Sequence, residues 1–244
     1  MEFMDATQFK KFAKCEAAAL AEIRGEYSEA MTTSLLVGSY VDAYFDGTLA
    51  LFKAKHPEII NSRSGELKAD FKQAEYIIRR IEQDEYFMWA LSGERQVIVT
   101  GEIANVPFRG KMDFLHPDEA IVDLKVMRDF QSQWIQNAGK VPYWAAWGYH
   151  IQGAIYQYLE GNHLPFLIAA ASKEKETDIE VRQISQENLD TALKYVERLA
   201  PHYNDLKHGI GEPWRCEQCD YCRKTKKLQG TVCDENIYEY VPIR

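Results

Sequence analysis

Three short runs between Val97 and Met127 constrain this chain most, because they read as strands yet carry charges inside them. Val97 to Ile103 is rich in β-branched residues. Phe108 to Leu115 follows a turn signal at Asn105 to Pro107, and Ala120 to Met127 follows His116-Pro117-Asp118. Turns this short join antiparallel neighbours, so the runs predict a meander. Asp113 lies inside the second run, and Asp123 and Lys125 lie inside the third. Aspartate is depleted from strands, and burying its charge is costly. Side chains alternate across a strand, so Asp123 and Lys125 share a face about 7 Å apart, and Asp113 can sit opposite them across the hairpin. Two carboxylates and one ammonium then meet at one spot. A solvated face with a cross-strand ion pair would use the same residue types.

The flanking sequence supplies the rest of a core. Glu66 to Leu91 reads as a helix, with Phe71, Ala74, Ile78 and Ile81 at three- and four-residue spacing. Tyr143 to Glu160 reads as another, between Pro142 and Gly161. Phe166 to Ala171 is a short apolar run suited to a buried strand, and Asp178 to Ile184 alternates beside it. Gln186 to Lys207 reads as a final helix, and Ala6 to Leu51 as helices broken near Gly25 and Gly38. The order from residue 66 is αβββαβ, an α+β fold with helices against a mixed sheet. One domain over residues 1–208 is expected, with 209–244 a Cys-rich basic tail packed on it.

Composition narrows the function classes. The 244 residues are 46% hydrophobic and 27% charged, which argues against disorder. The net charge of −8 disfavours a polyanion binder that works by bulk charge. No apolar run approaches a membrane span, and Met1 to Lys14 carries acids without an apolar stretch, unlike a secretory signal. A cytoplasmic protein with no membrane partner is expected.

Clustered carboxylates offer hard oxygen ligands with open positions, which suit Mg²⁺ or Mn²⁺. Such an ion polarises a phosphoryl oxygen and activates a bound water, and a nearby Lys can orient or deprotonate that water, or neutralise charge on phosphorus, a base role needing desolvation or cationic neighbours. The residues thus point to phosphodiester hydrolysis. Gly110-Lys111-Met112-Asp113 followed by Asp123-Leu124-Lys125 resembles the PD-(D/E)XK nuclease superfamily, with Met112 where the family's Pro stands. Gln152 and Tyr156 match the Gln-x-x-x-Tyr element of RecB-like exonucleases, and four-residue spacing puts both on one helix face with Tyr149. Gly38 to Asp42 looks like their Gly-x-x-x-His segment, with Asp42 in place of His. Over about Cys15 to Leu228 the chain is similar to phage and prophage exonucleases of the exodeoxyribonuclease VIII (RecE) type.

That resemblance implies Mg²⁺-dependent digestion of linear double-stranded DNA from its ends, leaving single strands for an annealing protein. It implies metal ligation by Asp113, Asp123, Asp42 and the Leu124 carbonyl, with catalytic roles for Lys125, Gln152 and Tyr156. Relatives form rings, which leaves a homo-oligomer open. A non-cleaving module that binds DNA or a recombination protein, and a restriction-type endonuclease, are the rival readings. Glu102 is a further acid without an assigned role.

Cys216, Cys219 and Cys222 form Cys-x-x-Cys-x-x-Cys, with Cys233 downstream and Cys15 far upstream. In an intracellular chain such pairs point to metal before disulfide. Cys233 would complete a closed Zn²⁺ site. Alternatively Cys15 would be the fourth ligand of an iron–sulfur cluster, as one early and three late cysteines are in RecB-like relatives. Arg215, Arg223, Lys224, Lys226 and Lys227 add a local basic patch. The aromatic residues Trp134, Tyr143, Trp144, Trp147 and Tyr149 are expected in the core.

Overall fold

The computed structural model describes residues 3–135, 138–228 and 230. Helices α1 (Ala6–Lys14), α2 (Glu16–Ile23), α3 (Thr33–Phe45), α4 (Leu49–Lys55), α5 (Ala69–Glu82) and α6 (Glu85–Ala90) precede the first strand. Strands β1 (Glu94–Ile103), β2 (Val106–His116) and β3 (Ala120–Met127) follow, then a small hairpin of β4 (Gln133–Ile135) and β5 (Gly139–Val141). Helices α7 (Tyr143–Ala146) and α8 (Tyr149–Glu160) lead to β6 (Phe166–Ser172) and β7 (Ile179–Gln183). Then come α9 (Gln186–Lys207) and α10 (Asp220–Lys224).

The main sheet has the order β1-β2-β3-β6-β7. Its pairs are antiparallel except β3 with β6, which run parallel as a helical crossover requires. β1 and β2 are joined by a two-residue loop in which Ala104 and Asn105 have φ of 50° and 62°, the left-handed pair that a tight hairpin needs. One face of the sheet packs a core that includes Phe9, Ile155, Phe166, Ile168 and Val196, beneath α1, α8 and α9. The other packs Tyr40, Phe71, Ile78, Phe114, Val122 and Leu167, beneath α3, α5 and α6. The α+β reading with αβββαβ order therefore describes the fold.

Several boundaries differ from the sequence expectation. The helix expected over Glu66 to Leu91 is two, because Asp84 caps a fresh start by accepting from Phe87 N at 2.8 Å. The helix expected over Tyr143 to Glu160 breaks at Gly148, whose φ is +65°. Gly38 breaks nothing: α3 runs through it, and a Cβ there would meet only the Val126 carbonyl at 3.9 Å.

β2 and β3 pair only at Phe114–Val122, Leu115–Ile121 and His116–Ala120. Beyond Phe114 they part, and the β1–β2 ladder also omits the Gln96–Asp113 pair. Met4 fills the far end of the opened edge, its N–H donating to Pro107 O at 2.8 Å and its carbonyl accepting from Arg109 N at 2.9 Å. Asp113 thus stands where β2 leaves β3 and where its ladder with β1 skips one pair.

Helix α8 docks tightly on β6. A Cβ on Gly153 would lie 2.3 Å from Phe166 Cδ1, and Phe166 is wholly buried. Gly153→Val should therefore lower stability by about 1–3 kcal/mol, the usual cost of overpacking, as read by thermal melting.

Candidate active site

The parting of β2 and β3 exposes backbone that needs partners. Asp113 supplies one: its Oδ2 accepts from Leu124 N at 3.1 Å, replacing a ladder bond. Asp123 and Lys125 leave β3 on the same face, toward α8. Asp123 is 1% exposed, and such burial demands partners for its charge. Its Oδ1 accepts from Gln152 Nε2 at 2.7 Å, and the Lys125 ammonium lies 2.5 Å from its Oδ2. Oδ2 has no well-directed hydrogen bond of its own. The ammonium also donates to the Leu124 carbonyl at 3.2 Å and lies 5.6 Å from the Tyr149 ring centre. Gln152 Nε2 further donates to the Tyr156 hydroxyl at 3.2 Å.

Charge is crowded here. Burial, then the Asp123 carboxylate, pushes Asp113 up to about 8. Asp42, on α3, lies within electrostatic reach of Lys125 and Asp123. It keeps a solvent-facing surface, yet protein packed around it lifts its carboxyl to about 7, with Lys125 opposing and Asp123 adding to the rise. Burial works against the charge of Lys125, but Asp123, Asp113 and Asp42 outweigh it and hold the ammonium protonated well above its ordinary range. Burial also raises Tyr149, to about 12, and Tyr156.

These donors fit a hard divalent cation. Carboxylates outnumber the cations around Asp123, and the Asp123 Oδ2 and Leu124 carbonyl both turn to the Lys125 ammonium. That ammonium lies between the same two oxygens. The carboxylates are spread around it. Among the described residues, the only group of three or more His, Cys, Asp or Glu with ligand atoms all within 4.8 Å is Cys15, Cys216, Cys219 and Cys222.

Two cavities adjoin the site. One of about 390 Å³ is lined by Tyr149, Trp147, Leu35, Val126 and Lys173 among others. The other, of about 350 Å³, is lined by Tyr156, Arg109, Lys111 and Asp5 among others. Trp147 is 58% exposed and Trp134 79%, so these two are not core residues; they sit on the irregular crossover and the β4–β5 hairpin, where no layer among the described residues covers them. Tyr143 is buried as expected, and Trp144 and Tyr149 are partly so.

In the tail the four free thiols converge. Cys15 Sγ is 3.5 Å from Cys222 Sγ, which is 4.0 Å from Cys216 Sγ. Cys216 Sγ accepts from Cys219 N at 3.3 Å and Cys219 Sγ from Cys222 N at 3.5 Å. Burial raises Cys216, but the Gln218 and Cys219 backbone N–H groups and the neighbouring thiols outweigh it and bring it to about 7, whereas burial lifts Cys219 and Cys222. Cys15 supplies the fourth thiol; Cys233 lies outside the described residues. Arg215 is engaged with Glu217, the Cys222 carbonyl and Thr225, so it braces the tail instead of forming a free basic patch.

Comparison with known proteins decides the family. Residues 5–225 match the model of a PDDEXK-like domain of unknown function (DUF3799). The chain belongs to this family. The chain is also similar to the crystal structure of a "putative exonuclease" from Eubacterium rectale, with TM-score 0.90 and 44% sequence identity over 95% of this chain and 91% of that one. No curated protein matches the chain. No helix among the described residues is long and apolar enough to cross a membrane.

Asp113, Asp123, Leu124, Lys125, Gln152 and Tyr156 are thus brought together, and Asp42 stands within electrostatic reach. Glu102 is exposed, opposite Pro107 at the far end of the β1–β2 hairpin, and takes no part. The residue that the sequence did not flag is Lys10, from α1, whose Nζ donates to Gln152 Oε1 at 3.2 Å. Its partner lies 142 positions away, and α1 belongs to none of the motifs.

The raised carboxyls set a pH signature for metal-free protein. Ordinary carboxyls titrate near about 4, so the folded state holds protons on Asp42 and Asp113 more tightly than the unfolded state does. Their stabilising contribution is complete below about pH 4 and is lost as pH rises through about 7 and 8. In chelator, the melting temperature should fall across this window, and Asp113→Asn should flatten the fall.

Proposed function

We propose that the protein is a divalent-metal-dependent exodeoxyribonuclease acting on the ends of linear double-stranded DNA in the cytoplasm. The observation that carries this reading is the meeting of Asp113, Asp123, the Leu124 carbonyl and Lys125 where β2 and β3 part, with Gln152 fixing Asp123. Asp113, Asp123, the Leu124 carbonyl and Asp42 would hold Mg²⁺ or Mn²⁺. Bound there, the ion would polarise the phosphoryl oxygen and activate water. Lys125, held protonated by the surrounding carboxylates in metal-free protein, would orient water or offset charge on phosphorus. Tyr149 and Tyr156 connect the site to the cavities on either side, giving a strand a path across it. The likeness to the Eubacterium rectale protein favours end-dependent action. The RecE-type motifs favour a role in phage-type recombination with an annealing partner.

The cysteines support one tetrahedral Zn²⁺ on Cys15, Cys216, Cys219 and Cys222. Zn–S bonds of about 2.3 Å put tetrahedral sulfurs roughly 3.8 Å apart. The observed separations of 3.5 and 4.0 Å match that. A four-iron cluster would interpose its own irons and sulfides and spread the thiolates further. The ion would tie the start of α2 to the tail.

End-labelled linear DNA with Mg²⁺ tests the first reading. Wild type should degrade it and leave closed circles whole, and Asp123→Ala and Lys125→Ala should each lose at least about 100-fold in rate. Intact linear DNA, or variants as fast as wild type, would overturn it and favour the non-cleaving binding module; cut circles would favour an endonuclease. Elemental analysis tests the second. One zinc per chain, lost with a lowered melting temperature in Cys15→Ser, is expected, and iron would contradict it.

A further inference from the structure

We infer that Lys10 is a positioning residue for the reaction, acting through Gln152 on Asp123. The inference rests on the nuclease reading above and adds a residue that lies outside the superfamily motifs.

A glutamine amide has two ends that differ chemically but hardly in shape. Its oxygen only accepts and its nitrogen only donates. Gln152 helps the site in one orientation alone: the nitrogen must face Asp123, because an oxygen there would repel the carboxylate. Asp123 by itself favours that orientation. Lys10 completes it from the other side, because an ammonium is donor-only and tolerates only the amide oxygen. The order Lys10 Nζ to Gln152 Oε1 at 3.2 Å, then Gln152 Nε2 to Asp123 Oδ1 at 2.7 Å, leaves the amide no second choice. Gln152 Nε2 also donates to the Tyr156 hydroxyl, so that hydroxyl keeps its own proton to give elsewhere.

The position of Lys10 is built, not incidental. Its stem crosses Gly148 so closely that a Cβ there would stand 2.9 Å from Lys10 Cδ. Gly148 also has φ +65°, so it supplies both the helix break and the passage. The ammonium then lies 5.6 Å from the Tyr149 ring centre, on the ring that Lys125 also approaches. Helix α1 is held at both ends, by Met4 bridged to β2 and by Cys15 in the thiol group. Burial, with Lys125 nearby, lowers Lys10 to about 8, so this side chain is enclosed by protein, and it is the donor-only ammonium below that pH.

The test is a double-mutant cycle in the full chain with Mg²⁺ and linear DNA. Lys10→Met keeps the aliphatic stem and removes the donor. It should lower kcat about 10- to 100-fold, raise the Mg²⁺ concentration for half activity, and leave KM for DNA near wild type. In a Gln152→Ala background the same change should cost less than about twofold, because Lys10 has lost what it acts through. Equal losses in both backgrounds, a raised KM with unchanged kcat, or wild-type kinetics would overturn the inference. If wild type cuts no DNA, the nuclease reading fails. The positioning is then read from the Gln152 side-chain amide by NMR, expected to move to solvent-like shifts in Lys10→Met; unchanged shifts would refute it.

Discussion

The structure turns on a charge pair inside a sheet. Asp123 is almost fully buried on a central strand, and an uncompensated carboxylate there would cost several kcal/mol. Lys125 and Gln152 compensate it, one on each oxygen. A β2–β3 ladder closed past Phe114–Val122 would put Asp113 directly opposite Asp123. The parting of the strands beyond Phe114–Val122 relieves that repulsion and opens the cleft. Fold and site are therefore one arrangement: the sheet must split where the acids meet.

The helices around the split do different jobs. α8 carries Gln152 and Tyr156 and is pinned to β6 by the Gly153–Phe166 approach. α3 brings Asp42 within electrostatic reach of Lys125 and Asp123. α1 and the thiol group lie outside the αβββαβ core, yet α1 delivers Lys10 to the centre while Cys15, just past its end, meets the tail. A peripheral element thereby gains a hold on the charged site.

Much of this was legible in the sequence. The meander and the common face of Asp123 and Lys125 follow from the period-two alternation of strands, a local rule, whereas Gln152 and Tyr156 were singled out by a motif likeness. Asp42 was found only through a motif likeness, since a lone acid on a helix carries no signal. What the sequence hid is long-range or exposed. Lys10 looks like any basic residue of an amphipathic helix, and only the docking of α1 across Gly148 gives it a role. Trp134 and Trp147 look like core by residue type, but the crossover that carries them has no layer above it among the described residues. Gly38 looks like a break because glycine often is one; here the surrounding α3 packing holds the helix through it. Cys15 stood as one of two rival fourth ligands, and folding brings it to the tail thiols.

The account is tested most directly by diffraction from crystals soaked in Mn²⁺. It predicts an anomalous peak joining Asp113, Asp123 and the Leu124 carbonyl, with the Lys125 ammonium withdrawn from Asp123 Oδ2. A filled lattice with no peak there, and Lys125 still seated between the two oxygens, would contradict it.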